Sequence, residues 1–175
     1  MRTFVAVFPP PEVREALFRA ARDMPASKDF RIVDPEKIHL TLKFLGDVAE
    51  DGVAQALEPI SDRHEPFEVE TSGFGAFPSE KRARILWAGV GVGSGPLRAL
   101  SRDVDDLLEP AGFEREGRPY VPHLTLGRVR GRPVKLDAAE KPSPALRFTV
   151  SGVDLVKSVP GGHGVTYSIL RTYPF

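Results

Sequence analysis

Two copies of one tetrapeptide hold the groups in this chain that could do chemistry: His39-Leu40-Thr41-Leu42 and His123-Leu124-Thr125-Leu126. An imidazole, with an ordinary pKa of about 6.5, takes or gives a proton near neutrality. A hydroxyl two residues on can donate a hydrogen bond to an anion. Successive side chains of a β-strand point to opposite faces, so in each copy the histidine and threonine share one face and the leucines take the other. The copies begin 84 residues apart, close to half of the 175-residue chain. Two such halves facing one cleft would place an imidazole on either side of an anionic substrate. They would serve as base and acid for displacement at phosphorus, with the threonines on its non-bridging oxygens.

Arg128, in Leu126-Gly127-Arg128, is the candidate third phosphate ligand, because a guanidinium matches phosphate geometry through paired bonds. Its position raises a question of parity. Five residues after His123, a regular strand turns it to the leucine face, so either a bulge at Gly127 turns it back or the strand ends there. The first copy carries Phe44 at the same place, so the two histidines should have different roles.

The elements that must position these groups read as strands alternating with helices, twice over. Thr3 to Phe8 is a strand, closed by Pro9-Pro10-Pro11, which opens a helix through about Met24 with an apolar stripe of Val13, Ala16, Leu17, Ala20 and Ala21. A short strand at Phe30 to Val33 precedes the first motif strand, Ile38 to Leu45. Val53, Ala56, Leu57 and Ile60 mark a second helix, and Phe67 to Thr71 a further strand. The second half repeats the order, with a strand at Arg84 to Val92 and a helix opened by Gly95-Pro96 that carries Leu97, Leu100, Val104, Leu107 and Leu108. A turn framed by Gly112 and Gly117 then leads to the second motif strand. Leu146 to Val150, Val153 to Val159 and Val165 to Tyr173 read as closing strands, and Gly131 to Pro144 as a polar connection. No low-complexity linker divides the halves, so residues 1–175 are expected to form one domain of two similar lobes.

Composition narrows the partners. With 41% hydrophobic and 27% charged residues the chain reads as an ordinary globular protein. Lys and Arg together number 24 and so do Asp and Glu, which argues against a broad electrostatic nucleic-acid binder and for local recognition of an end or a single phosphate. The absence of cysteine excludes disulfides, thiolate metal ligands and thiol nucleophiles. No apolar run approaches the roughly 18 residues of a membrane span, and the apolar start is cut by prolines, unlike a signal peptide; a cytoplasmic protein is expected.

The remaining candidates have plainer readings. His64, between Arg63 and Glu65, and His163, in a glycine-rich hairpin, read as solvated. A zinc site built on His39, His123 and one of these lacks the third close ligand or carboxylate that zinc usually takes. Lys81, Arg82 and Arg84 read as a solvated basic loop, with contact to a nucleic-acid backbone as the alternative. Trp87 and Phe44 read as core residues rather than as base-stacking platforms.

The paired motifs resemble those of the 2H phosphoesterases, and their flanks resemble the RNA 2′,3′-cyclic phosphodiesterase (2′-5′ RNA ligase-like) branch. The likeness extends to Met1-Arg2-Thr3-Phe4-Val5-Ala6-Val7, Leu42-Lys43-Phe44-Leu45-Gly46, Phe77-Pro78 through Val90, and Pro122 through Arg128. One such motif is a weak signal; two with these flanks in this order are specific. The resemblance implies an α+β, bilobal, pseudo-twofold fold with two antiparallel sheets facing a central groove and helices outside. It implies opening of a terminal 2′,3′-cyclic phosphate on RNA to a 2′-phosphate, with no metal or other cofactor, no membrane and no obligate protein partner. His39 would be the proton donor to the leaving O3′ and His123 the proton acceptor that activates water. Thr41, Thr125 and Arg128 would bind the phosphate. The reverse course, ATP-independent 2′-5′ joining of RNA ends, is secondary on this reading. Two alternatives stand beside it: a 2H phosphodiesterase for a cyclic-phosphate nucleotide metabolite or 2′-5′ oligonucleotide, and a non-catalytic RNA-end-binding module.

Overall fold

The structure is a computed structural model that describes residues 2–24, 28–139, 141–162 and 164–175. Its elements follow the expected order: β1 (Arg2–Val7), α1 (Pro11–Arg22), β2 (Phe30–Ile32), β3 (Leu40–Gly46), α2 (Glu50–Leu57), β4 (Phe67–Phe77), β5 (Ile85–Val90), α3 (Ser94–Leu108), β6 (His123–Val129), β7 (Arg147–Val150), β8 (Gly152–Gly161) and β9 (Gly164–Pro174). The strands form one curled antiparallel sheet in the order β7-β4-β5-β6-β3-β1-β8-β9, with β2 added along β6. The two sheets that the resemblance implies are the two halves of this one sheet. They meet where β3 and β6 pair at Leu40 and Leu124.

The helices cover one face. In α1, Val13, Leu17 and Ala21 recur at fourfold spacing and are buried. Glu12 in its first turn and Arg19 and Arg22 in its last complement the helix dipole. In α3, Leu97, Leu100, Val104 and Leu108, three or four residues apart, form the buried stripe. Full burial of each such leucine stabilises the fold by roughly 2 kcal/mol. The halves exchange helices: α1 rests on β2 and β6, whereas α3 rests on β3. One continuous core results, running from Val5 and Leu40 through Leu124 to Leu97 and Leu155.

Strand β4 runs to Phe77, six residues past the expected end at Thr71. A bulge between Ser72 and Phe74, with Gly73 at φ +56°, interrupts its alternation and hides the continuation from a period-two reading. His163, expected to be solvated, lies outside the described residues.

Candidate active site

Leu40 and Leu124 stand opposite each other in the antiparallel β3–β6 contact, and both are fully buried. Continuing that register sets His39 beside Thr125 and Thr41 beside His123, all four on the face away from the helices. Each of the four is half-buried. The two motifs therefore cross at one point, and the sheet brings together what the sequence holds 84 residues apart.

Both imidazoles are oriented in the same way. His39 Nδ1 lies 2.7 Å from the carbonyl oxygen of Lys37, and His123 Nδ1 lies 2.8 Å from that of Val121. A carbonyl can only accept, so Nδ1 carries the hydrogen in each ring and Nε2 is left for proton exchange. In each half the acceptor sits two residues before the histidine.

Their surroundings differ. His39 is enclosed by aromatic rings: Phe4 stacks at 5.0 Å between centroids, Phe8 lies at 5.3 Å and Tyr167 meets it edge-on at 5.4 Å. Loss of water in this enclosure lowers the His39 pKa to about 4. The bond to the Lys37 carbonyl opposes the shift, and the charges of Arg128 and His123 add to it. Among the described residues the one aromatic ring against His123 is Phe77, edge-on at 5.2 Å.

The parity question around Arg128 has a definite answer. In the β5–β6 ladder, Trp87 pairs with Thr125 and Leu86 with Gly127, so Leu126 is the extra residue of a bulge. That residue reverses the alternation and turns Arg128 onto the face of His123 and Thr125. Its charge is felt by both His39 and Tyr167. Gly127 is required at the bend, because a Cβ there would overlap the Phe30 ring. The first half carries the same device: Ala6 pairs with Thr41 and Val5 with Lys43, which makes Leu42 the extra residue.

Each bulge frees a carbonyl that the opposite half satisfies. The Oγ of Ser101 on α3 donates to Leu42 O at 3.3 Å, and the backbone N–H of Val33 donates to Leu126 O at 2.8 Å. The first bulge also turns Lys43 to the helical side, where it is buried against Asp105 and bonds to the Glu114 carbonyl at 2.6 Å.

Phe44, at the position matching Arg128, is consequently 71% exposed on the site face, and the reading of it as core is overturned. Trp87 likewise stands on the site face, opposite Thr125 and partly exposed, rather than in the core. His64 is not solvated but packs against Asp103, with Nε2 2.8 Å from Oδ2, and against the Phe175 ring at 5.5 Å. Lys81 and Arg82 are exposed in a short 3-10 turn and Arg84 is exposed just after it. Among the described residues no three His, Cys, Asp or Glu side chains converge as metal ligands.

The family model described as the 2′-5′ RNA ligase superfamily matches residues 9–162. The chain belongs to that superfamily. It is 33% identical over 177 residues to the RNA 2′,3′-cyclic phosphodiesterase of Archaeoglobus fulgidus, covering 99% of both chains. It is 33% identical over 184 residues to the protein of the same name from Thermus thermophilus, covering 99% of this chain and 89% of that one. The crystal structure of TT0787 of Thermus thermophilus superimposes with a TM-score of 0.84 at 29% identity, covering 99% of this chain and 97% of that one. Escherichia coli LigT complexed with 3′-AMP shares the fold, with a TM-score of 0.83 at 23% identity and the same coverage.

Within this superfamily fold, the sequence reading missed the aromatic enclosure of His39. A signal for it exists in Phe4-Val5-Ala6-Val7-Phe8, which is apolar at every position. An unbroken apolar strand has both faces covered. Val5 and Val7 join the main core, whereas Phe4 and Ala6 form a second cluster with Val156, against which Phe8 and Tyr167 pack.

Proposed function

We propose that this protein opens a terminal 2′,3′-cyclic phosphate on RNA to a 2′-phosphate by acid–base catalysis between His39 and His123. The reading rests on one observation above others. Two equally oriented imidazoles from the two halves, each with Nε2 unengaged by its backbone anchor, occupy one face around the Leu40–Leu124 crossing. The names of relatives at 33% identity over nearly the full chain support the substrate class.

On this reading His123 Nε2 takes a proton from water as the oxygen–phosphorus bond forms, and His39 Nε2 gives a proton to O3′ as the phosphorus–O3′ bond breaks. The phosphate stays on O2′. Thr41 and Thr125 donate to its non-bridging oxygens, and Arg128 balances the charge that grows on them. Phe44, exposed beside Phe4 at 6.1 Å, offers the terminal base an aromatic surface on the His39 side. In the free protein His39 is neutral at pH 7, so the proton it donates arrives together with the anionic substrate, which offsets the charge of Arg128. The two lobes act as one catalytic domain, since each supplies half of the pair.

Incubation with adenosine 2′,3′-cyclic phosphate, followed by chromatography against both isomers, tests the reading. Adenosine 2′-phosphate is the expected sole product. A predominant 3′-phosphate, or no turnover, would overturn it.

A further inference from the structure

We infer that the indole of Trp87 is a stacking platform for the base of a second nucleotide, whose 5′-hydroxyl takes the place of water beside His123. This deepens the function proposed above and rests on it. Trp87 lies in β5 directly opposite Thr125, on the same face as His123 and away from the helical core. Its ring lies flat along the sheet over Gly75 of β4, at a place where any side chain would collide with it. Only a glycine at that position lets the indole lie down instead of standing away from the strand. The indole Nε1 is tucked under with no hydrogen-bond partner among the described residues, while the residue stays partly exposed. Phe77 extends the aromatic surface: its centroid is 5.2 Å from that of Trp87 and 5.2 Å from that of His123.

The pseudo-twofold arrangement gives the platform its meaning. The His39 side already has an exposed aromatic ring, Phe44, lying against the buried Phe4, for the nucleoside that carries the phosphate. A water nucleophile needs nothing comparable on the opposite side. A flat, half-open aromatic surface there suits a nucleobase, because base–aromatic stacking accepts any base through its π-face. The step then balances without any further reactant. The O5′–phosphorus bond forms and the phosphorus–O3′ bond breaks. The 5′-hydroxyl proton passes to His123, O3′ receives one from His39, and a 2′-5′ diester results.

Trp87 is the only tryptophan in the chain, so its fluorescence reports this site alone. The protein would be titrated with the 5′-hydroxyl dinucleotide ApA while saturated with adenosine 2′-phosphate. Quenching that saturates with ApA is expected, and unchanged emission would overturn the inference. A second measurement gives adenosine 2′,3′-cyclic phosphate a choice between water and ApA and reads the ratio of 2′-5′ joined product to 2′-phosphate. Trp87→Leu should lower that ratio at least about tenfold, whereas Trp87→Phe, which keeps a stacking ring, should hold it within about threefold. An equal ratio in wild type and Trp87→Leu, or no joined product in the wild type, would overturn the inference. Either result with intact hydrolysis leaves the proposed function standing; absence of all cyclic-phosphate opening is the separate failure of that reading.

Discussion

At the scale of single residues, what separates the two histidines is their surroundings and not their anchoring. Each donates Nδ1–H to a carbonyl two residues back, but only His39 is boxed by Phe4, Phe8 and Tyr167. Its pKa, lowered to about 4, has a consequence for stability. Between about pH 6.5 and pH 4 the folded protein holds fewer protons at this site than the unfolded chain does. Stability therefore falls as the pH drops through that window, and the penalty is absent above it. His39→Gln removes the group. Relative to the variant, the wild type should lose about 2 kcal/mol between pH 7 and about pH 4.5, allowing for partial solvent screening. Urea unfolding midpoints at the two pH values check this, and parallel shifts in both proteins would contradict it.

At the scale of elements, the bulges at Leu42 and Leu126 decide which side chains stand on the face that carries both histidines. Ser101 holds the first one by bonding the freed carbonyl of Leu42 inside the core. Ser101→Ala should cost about 1–3 kcal/mol, the usual penalty for a buried acceptor left without a donor. The denaturant midpoint measures the loss, and an unchanged midpoint would show that the bond does not hold the bulge. The same bulges mark the limit of what the sequence discloses. The alternation of strands and helices, both motif strands and the sharing of a face by His39 with Thr41 and His123 with Thr125 all follow from side-chain periodicity. For Arg128 the periodicity gave the wrong face unless a bulge intervened, and Gly127 was the one local hint. Phe44 and Trp87 were misplaced because a large aromatic residue in a strand is ordinarily buried. Exposure of Phe44 depends on the register slip at Leu42, and the posture of Trp87 depends on Gly75 in a neighbouring strand twelve residues away. Neither pairing has a signature in the local sequence.

At the scale of the whole molecule, the two halves are interlocked. Their sheets join at Leu40 and Leu124, α1 and α3 each pack on the other half's motif strand, and each bulge carbonyl is satisfied from across the divide. Such mutual dependence should give a single cooperative unfolding transition. Trp87 emission reports the second half and far-ultraviolet circular dichroism the entire chain; the two curves should coincide, and separated midpoints would contradict the interlock. The interlock also makes the proposed acid–base pair a property of the assembled molecule, since neither half contains both histidines. The most direct test of that pair is a double-mutant cycle, in which turnover of adenosine 2′,3′-cyclic phosphate is measured for His39→Ala, His123→Ala and both together. Each single variant should be slower by about 10² or more, and the double variant close to the slower single one, because the two groups act in one step. Either single variant retaining activity within a few-fold of wild type would contradict catalysis by the pair.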